Sequence, residues 1–133
     1  LDVLKDINAS KLNPVIQNES KKSLAPKIKK EQYRINWQKD SLEIHNQIRA
    51  FDPYPGAYSF LNNKRIKLFS SKNENSLNNV NAKTGQLIPK DNLLFIKSKK
   101  GFISVGEVQL EGKKRIDAYD FIKTLNNKIY ILD

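Results

Sequence analysis

The apolar residues Ile44, Ile48 and Phe51 recur at i, i+4 and i+7, one stripe of a 3.6-residue period, and predict a helix over 41–51. Asp40 stands at the N-cap position, and Glu43 three residues on completes the pattern of a capping box. Pro53 disfavours helical backbone at Asp52 and ends the helix, and Pro55-Gly56 turns the chain again. Beyond this corner the period changes to two. Ala57–Leu61 reads as a strand, Asn62-Asn63 as a two-residue hairpin turn, and 64–72 as a second strand. Its alternation puts Ile66, Leu68 and Ser70 on one side and Arg65, Lys67 and Phe69 on the other. Further strands follow at Leu93–Lys97 and Phe102–Leu110, joined by a turn at Lys99-Lys100-Gly101, with Gly106 expected at a bulge. Asp117 is placed to cap a helix over 118–125 that turns Phe121, Ile122 and Leu125 inward. Ile129–Leu132 either packs on the sheet or adds a short strand. The pattern predicts a mainly β fold, a small OB-like antiparallel barrel with one helix before it and one near the C-terminus. An open two-layer α+β sheet is the alternative, because strand count does not reveal closure.

The ends of the chain carry weaker patterns. Leu1, Leu4 and Ile7 have helical spacing and read as the end of a longer helix, and the first residue is not Met, so a fragment of a larger protein is expected. From Asn8 to Lys30 the periodicity vanishes, and Pro14 and Pro26 bound an extended linker. Residues 73–83 hold five Asn in eleven positions, which predicts a mobile loop.

Composition adds a charge signal and removes several chemistries. Lys and Arg number 24 against 14 Asp and Glu, for a net charge of +10 and a pI near 9.7. This balance favours polyanionic partners, nucleic acid first, although lysines scattered over a solvated surface produce the same total. Without cysteine, no disulfide, thiolate ligand or thiol nucleophile is available. The absence of cysteine is compatible with a reducing compartment, and no membrane-length apolar run or secretory signal stands in the sequence. The single histidine, His45, lies off the apolar stripe and has no second histidine to pair with. Glu107 and Glu111 read as surface carboxylates, and no glycine-rich phosphate loop occurs.

The cations fall in four clusters: Lys27, Lys29, Lys30 and Arg34; Lys64, Arg65 and Lys67; Lys97, Lys99 and Lys100; and Lys113, Lys114 and Arg115. The window 21–39 alone has seven Lys or Arg against one acid, Glu31. Most clusters lie at predicted turns or beside them, where one rim of a barrel would gather them into a groove that tracks phosphates without reading bases. Arg49 is expected to bond the carbonyls freed at the helix C-terminus. Trp37, Phe51, Tyr54 and Tyr58 are expected in core and domain-interface packing rather than in base stacking. Pro53, Pro55 and Gly56 fix the angle between helix and strand.

Several short segments resemble one family in combination. They are Ala25-Pro26-Lys27-Ile28-Lys29-Lys30-Glu31, Arg34-Ile35-Asn36-Trp37, Ile48-Arg49-Ala50-Phe51 and Pro53-Tyr54-Pro55-Gly56-Ala57, with Gln109 to Ile116 and Asp120-Phe121 later. Together with Asn8 to Pro14 and Gln17, they resemble the C-terminal domain of the methionyl-tRNA formyltransferase family. Asn36 stands where that family commonly has Asp, and Tyr54 where it commonly has Trp; both keep the local chemistry. The resemblance implies three parts: 1–13, the end of the last catalytic-domain helix; 14–36, a basic interdomain linker; and 37–133, an OB-like tRNA-binding domain. It implies that the four basic clusters hold initiator methionyl-tRNA and that Trp37, Arg49, Phe51, Pro53, Pro55 and Gly56 are structural. The family's formyl-transfer site of Asn, His and Asp has no counterpart here. The resemblance therefore implies a non-catalytic part of a monomeric cytoplasmic enzyme that uses 10-formyltetrahydrofolate elsewhere, with its own N-terminal catalytic domain as a partner. A related domain in formyltransferases or hydrolases acting on folate or nucleotide sugars is the alternative, as is a purely structural barrel.

Overall fold

A computed structural model describes residues 2–11, 14–74, 77, 80–126 and 128–133. The helix α1 spans Asp2–Asn8; Leu1, the first position of the expected apolar stripe, lies outside the described residues. The segment from Pro14 to Lys30 is exposed throughout, interrupted by a 3-10 turn at Glu19–Lys21. A second such turn, Lys30–Tyr33, leads to Ile35, which is already buried in the core.

The helix α2, Ser41–Phe51, forms where the apolar stripe placed it, with Ile44 and Ile48 fully buried. Each such side chain contributes about 1.5–3 kcal/mol over an exposed position. The expected capping box does not form: Asp40 makes no side-chain cap bond, and Glu43 pairs instead with Lys39 at 3.4 Å. The N-terminus of α2 is held by tertiary contact, with Ser41 N–H donating to the Lys100 carbonyl at 3.0 Å. Gly101 permits this approach, since a Cβ there would lie 2.5 Å from Ser41 Oγ.

Among the described residues six strands follow the proline corner, in which both X–Pro bonds, Asp52–Pro53 and Tyr54–Pro55, are cis. They are β1 Ala57–Leu61, β2 Lys64–Glu74, β3 Leu87–Lys90, β4 Leu93–Lys97, β5 Phe102–Leu110 and β6 Ile116–Asp117. The helix α3, Ala118–Thr124, closes the series; Asp117 precedes it but makes no side-chain cap bond. The order is β1-β2-β5-β4-β3, all antiparallel, with β6 on β5. Asn62 and Asn63 both have positive φ, as a hairpin turn of the primed type requires, and Asp91-Asn92 repeats the device between β3 and β4. On β1 the alternation is strict, with Ala57, Ser59 and Leu61 buried and Tyr58 and Phe60 on the outer face.

The sheet itself is open, and the C-terminal segment spans the gap. On one side Leu87 N–H donates to the Tyr130 carbonyl and Leu132 N–H to the Gly85 carbonyl, both at 2.9 Å. On the other, Phe60 and Asp133 exchange backbone bonds at 3.2 Å. The segment also completes a buried relay, in which Trp37 Nε1–H donates to Ser59 Oγ (2.9 Å) and Ser59 Oγ–H to the Asp133 carbonyl (2.7 Å).

Two expectations along the central strands need correction. Ser70 does not share a side with Ile66 and Leu68; it is exposed, with φ of +50°. Gly106 marks no bulge, because Phe69 pairs with Glu107 and Ser71 with Val105 in unbroken register. Both strands change phase together at this level: the buried positions run Ile103, Val105, then Val108 on β5. A shared phase change bends the sheet without slipping it, and Gly106 leaves room, since a Cβ there would lie 3.1 Å from Ser70 Cβ.

Part of the Asn-rich loop, residues 75, 76, 78 and 79, lies outside the described residues. Leu77 within it is buried against Phe95 and Phe102 in a second apolar cluster.

Candidate nucleic-acid interface

Period-two alternation puts Tyr58 and Phe60 of β1 beside Lys67 and Arg65 of β2, on the face turned away from the core. Arg65 lies over the Tyr58 ring, with Cζ 4.8 Å from its centroid. Tyr58 meets Phe60 edge-on at 5.7 Å, and Arg34 covers Phe60 with Cζ at 5.3 Å. Arg34 reaches this position because the incoming chain pairs in parallel with β1, Ile35 N–H donating to the Tyr58 carbonyl at 2.8 Å. The first and second basic clusters, separate in sequence, thus meet on one surface.

Beside this stack runs a groove of about 350 Å³, lined by Lys30, Tyr33, Tyr54, Tyr58, Arg65 and Lys67. Gly56 and Pro55 form one wall. A Cβ at Gly56 would come within 3.0 Å of both Lys67 Cδ and the Phe69 ring, and its φ of +85° suits glycine. Tyr33 is braced edge-on against Phe51 at 4.8 Å. Arg65 and Lys67 also border a smaller cavity of about 200 Å³ that continues to Gln109 and Gly112. Among the described residues, Lys30, Arg65 and Lys67 make no ion pair within 4 Å.

The other clusters are placed differently. Lys113 and Lys114 lie at the end of β5 beside the β1–β2 turn, where Glu111 N–H donates to the Arg65 carbonyl at 2.8 Å. Lys97, Lys99 and Lys100 lie at the opposite end of β5, about 27 Å away over eight residues of strand. Lys97 Nζ there stands 4.6 Å from the Phe102 ring centroid. Lys27 and Lys29 are exposed on the segment leading to Lys30, and Lys64 is exposed at the start of β2.

Arg115 departs from the expected free cation. Its guanidinium bonds Glu107 and lies 3.4 Å from Asp52 Oδ1, and Cζ stands 3.8 Å above the Phe69 ring. Asp52 and Glu107 in turn hold the sheet corner, accepting from Ser70 N–H (2.8 Å) and Ser70 Oγ–H (3.0 Å). The bond from Arg115 holds the Glu107 carboxyl below the usual carboxylate range, with Ser70 reinforcing it against the cost of desolvation.

Arg49 does not cap the helix carbonyls; it is exposed and donates to Asn46 Oδ1 at 3.2 Å. Trp37 is buried, and Phe51 is partly buried against the core, as expected. Tyr54 is not packed among its neighbours; it is 87% exposed. His45 lies 2.9 Å from Ser71 Oγ, and burial, then the nearby Arg49 charge, lower its pKa. No group of three His, Cys, Asp or Glu suited to a metal occurs among the described residues. No helix among them is long and apolar enough to cross a membrane.

The structure is thus an open antiparallel sheet bridged by its C-terminal segment, entered by an exposed lysine-bearing segment, with cations and tyrosines gathered on one face. The chain belongs to the family described as formyl transferase, C-terminal domain, whose model matches residues 27–126. Among its relatives are methionyl-tRNA formyltransferases of Syntrophomonas wolfei, 37% identical over 123 residues, and of Malacoplasma penetrans, 44% identical over 102. The alignments cover 88% and 77% of this chain but 37% and 32% of those proteins, so the chain spans roughly a third of their length. Its fold is similar to part of HypX from Aquifex aeolicus, solved in complex with tetrahydrofolic acid, with a TM-score of 0.63 at 20% identity. That likeness covers 91% of this chain and 21% of HypX.

Proposed function

We propose that this chain is the tRNA-holding part of a methionyl-tRNA formyltransferase acting in the cytoplasm. Its groove of Lys30, Arg65 and Lys67, with Arg34 on the adjoining stack, engages the phosphate backbone of initiator methionyl-tRNA. The observation that carries this reading is the meeting of the linker cations with those of β2 on one face. A small folate or nucleotide sugar needs no basic track of that extent. The contacts supply affinity and orientation rather than sequence readout, because phosphates carry no sequence information. The formyl transfer itself, from 10-formyltetrahydrofolate to the methionyl amino group, belongs to a separate catalytic domain toward which this module directs the acceptor end.

Titration of the chain with tRNA across a salt series tests the reading. Four to six phosphate contacts give micromolar affinity at low salt and a log–log slope of about −3 to −5. Absence of binding at low salt would leave a purely structural role.

A further inference from the structure

The groove contains one residue that phosphate binding does not use. Tyr54 projects 87% exposed from the turn between α2 and β1, although a ring of its size is ordinarily buried in a packed corner. Pro53 and Pro55 restrict φ at the positions on either side of it, so the ring is presented from a stiffened backbone. The other two tyrosines are engaged, Tyr33 against Phe51 and Tyr58 beneath Arg65. Glycine at position 56 lets Lys67 and Phe69 pack close against the turn that carries Tyr54, since a Cβ there would lie 3.0 Å from both.

We propose that this groove takes one unpaired nucleotide of the bound RNA. The base stacks on Tyr54, and its flanking phosphates lie against Lys30 and Lys67. The proposal rests on the tRNA reading above and narrows it. In a duplex both faces of every base are covered by neighbours, so an exposed ring gains nothing from paired RNA. An unstacked base in a loop or at an end offers a free face, and such bases are where aromatic side chains and RNA meet. A groove of about 350 Å³ has room for one nucleotide. The flanking cations supply the charge complementarity, and Tyr54 supplies selectivity for unpaired segments irrespective of base identity.

The test compares the 133-residue chain with its Tyr54→Ala and Tyr54→Trp variants by fluorescence anisotropy. Four labelled RNAs are used: a five-nucleotide single strand, the same strand with a central abasic site, a fully paired duplex, and tRNA. Tyr54→Ala is expected to weaken the single strand about tenfold, with its salt slope and duplex affinity unchanged. Tyr54→Trp retains single-strand affinity, and the abasic strand binds all three proteins equally. The exposed position argues against a loss of folding as the cause, and an unchanged thermal midpoint verifies this. Equal single-strand binding by wild type and Tyr54→Ala overturns the stacking proposal, as does an equal loss on the duplex and the abasic strand. Failure of wild type to bind tRNA at low salt overturns the underlying tRNA reading, a result distinguishable from either.

Discussion

Arg65 and Arg115 are the same side chain in two roles. Arg115 stands over Phe69 with Asp52 and Glu107 around it, at the corner where β2 and β5 change phase together. Arg65 stands over Tyr58 on the wall of an open groove, with no carboxylate among the described residues within ion-pairing distance of its guanidinium. Stacking on an aromatic ring is common to both; the acids are not. A guanidinium whose charge is matched by carboxylates has little left for a phosphate, whereas one that is merely stacked keeps its donors for a ligand.

The largest expected effect bears on the groove. Replacing Lys30, Arg65 and Lys67 together by Ala lowers tRNA affinity about a hundredfold at low salt and flattens the salt slope by about 2–3 units. Thermal unfolding checks that stability is retained, and an unchanged slope would place the interface elsewhere.

Arg115→Ala is expected to act in the opposite sense. It leaves Asp52 and Glu107 facing each other at the corner and lowers stability by about 2 kcal/mol, read by denaturant unfolding, while the tRNA salt slope stays the same. It also removes part of the acid sensitivity. Because Glu107 has a lowered pKa in the folded protein, its contribution is present above the unfolded carboxylate range and is lost as pH falls through the folded value. The variant's stability should therefore fall less steeply on the acid side than that of wild type. A large loss of tRNA affinity without loss of stability would reverse the two assignments.

The smallest effect is expected at the far turn. Lys99→Ala with Lys100→Ala should change tRNA affinity less than about twofold, since those side chains lie about 27 Å along β5 from the groove's end of the sheet. A drop comparable to that of the groove variant would show RNA wrapping both ends.

Hydrophobic period and turn chemistry make α2, the β1–β2 hairpin, β4 and β5 legible in the sequence. These signals are local, carried by residues such as Ile44, Ile48 and Asn62-Asn63. The corner is not legible there. Reading Ser70 by alternation assumes an unbroken pleat, but its φ is positive and its N–H bonds Asp52, eighteen positions earlier. The same limit applies to the interface. Four runs of cations are visible in the sequence, but whether a cation is matched depends on acids far along the chain. Tyr54 is expected in core or domain-interface packing because it clusters with other aromatics around the helix and its exit turn, and only the geometry of the turn shows that its ring is not part of the core. Leu77 is concealed by the polar residues around it, though it packs with Phe95 and Phe102, and Ala82 of the same loop lies against that cluster.

The strap formed by residues 130–133 has a consequence for biosynthesis. The β1–β2 hairpin can form as soon as it emerges, with Ile35 already on its edge at Tyr58, but the backbone bonds at Phe60 come from Asp133, 73 positions later. Until then the Phe60 end of β1 and the β3 side both present unpaired backbone groups, the template on which sheets of different chains join. The order of emergence thus makes the nascent domain most prone to aggregate just before the strap arrives, and those four residues end the interval by covering both edges at once.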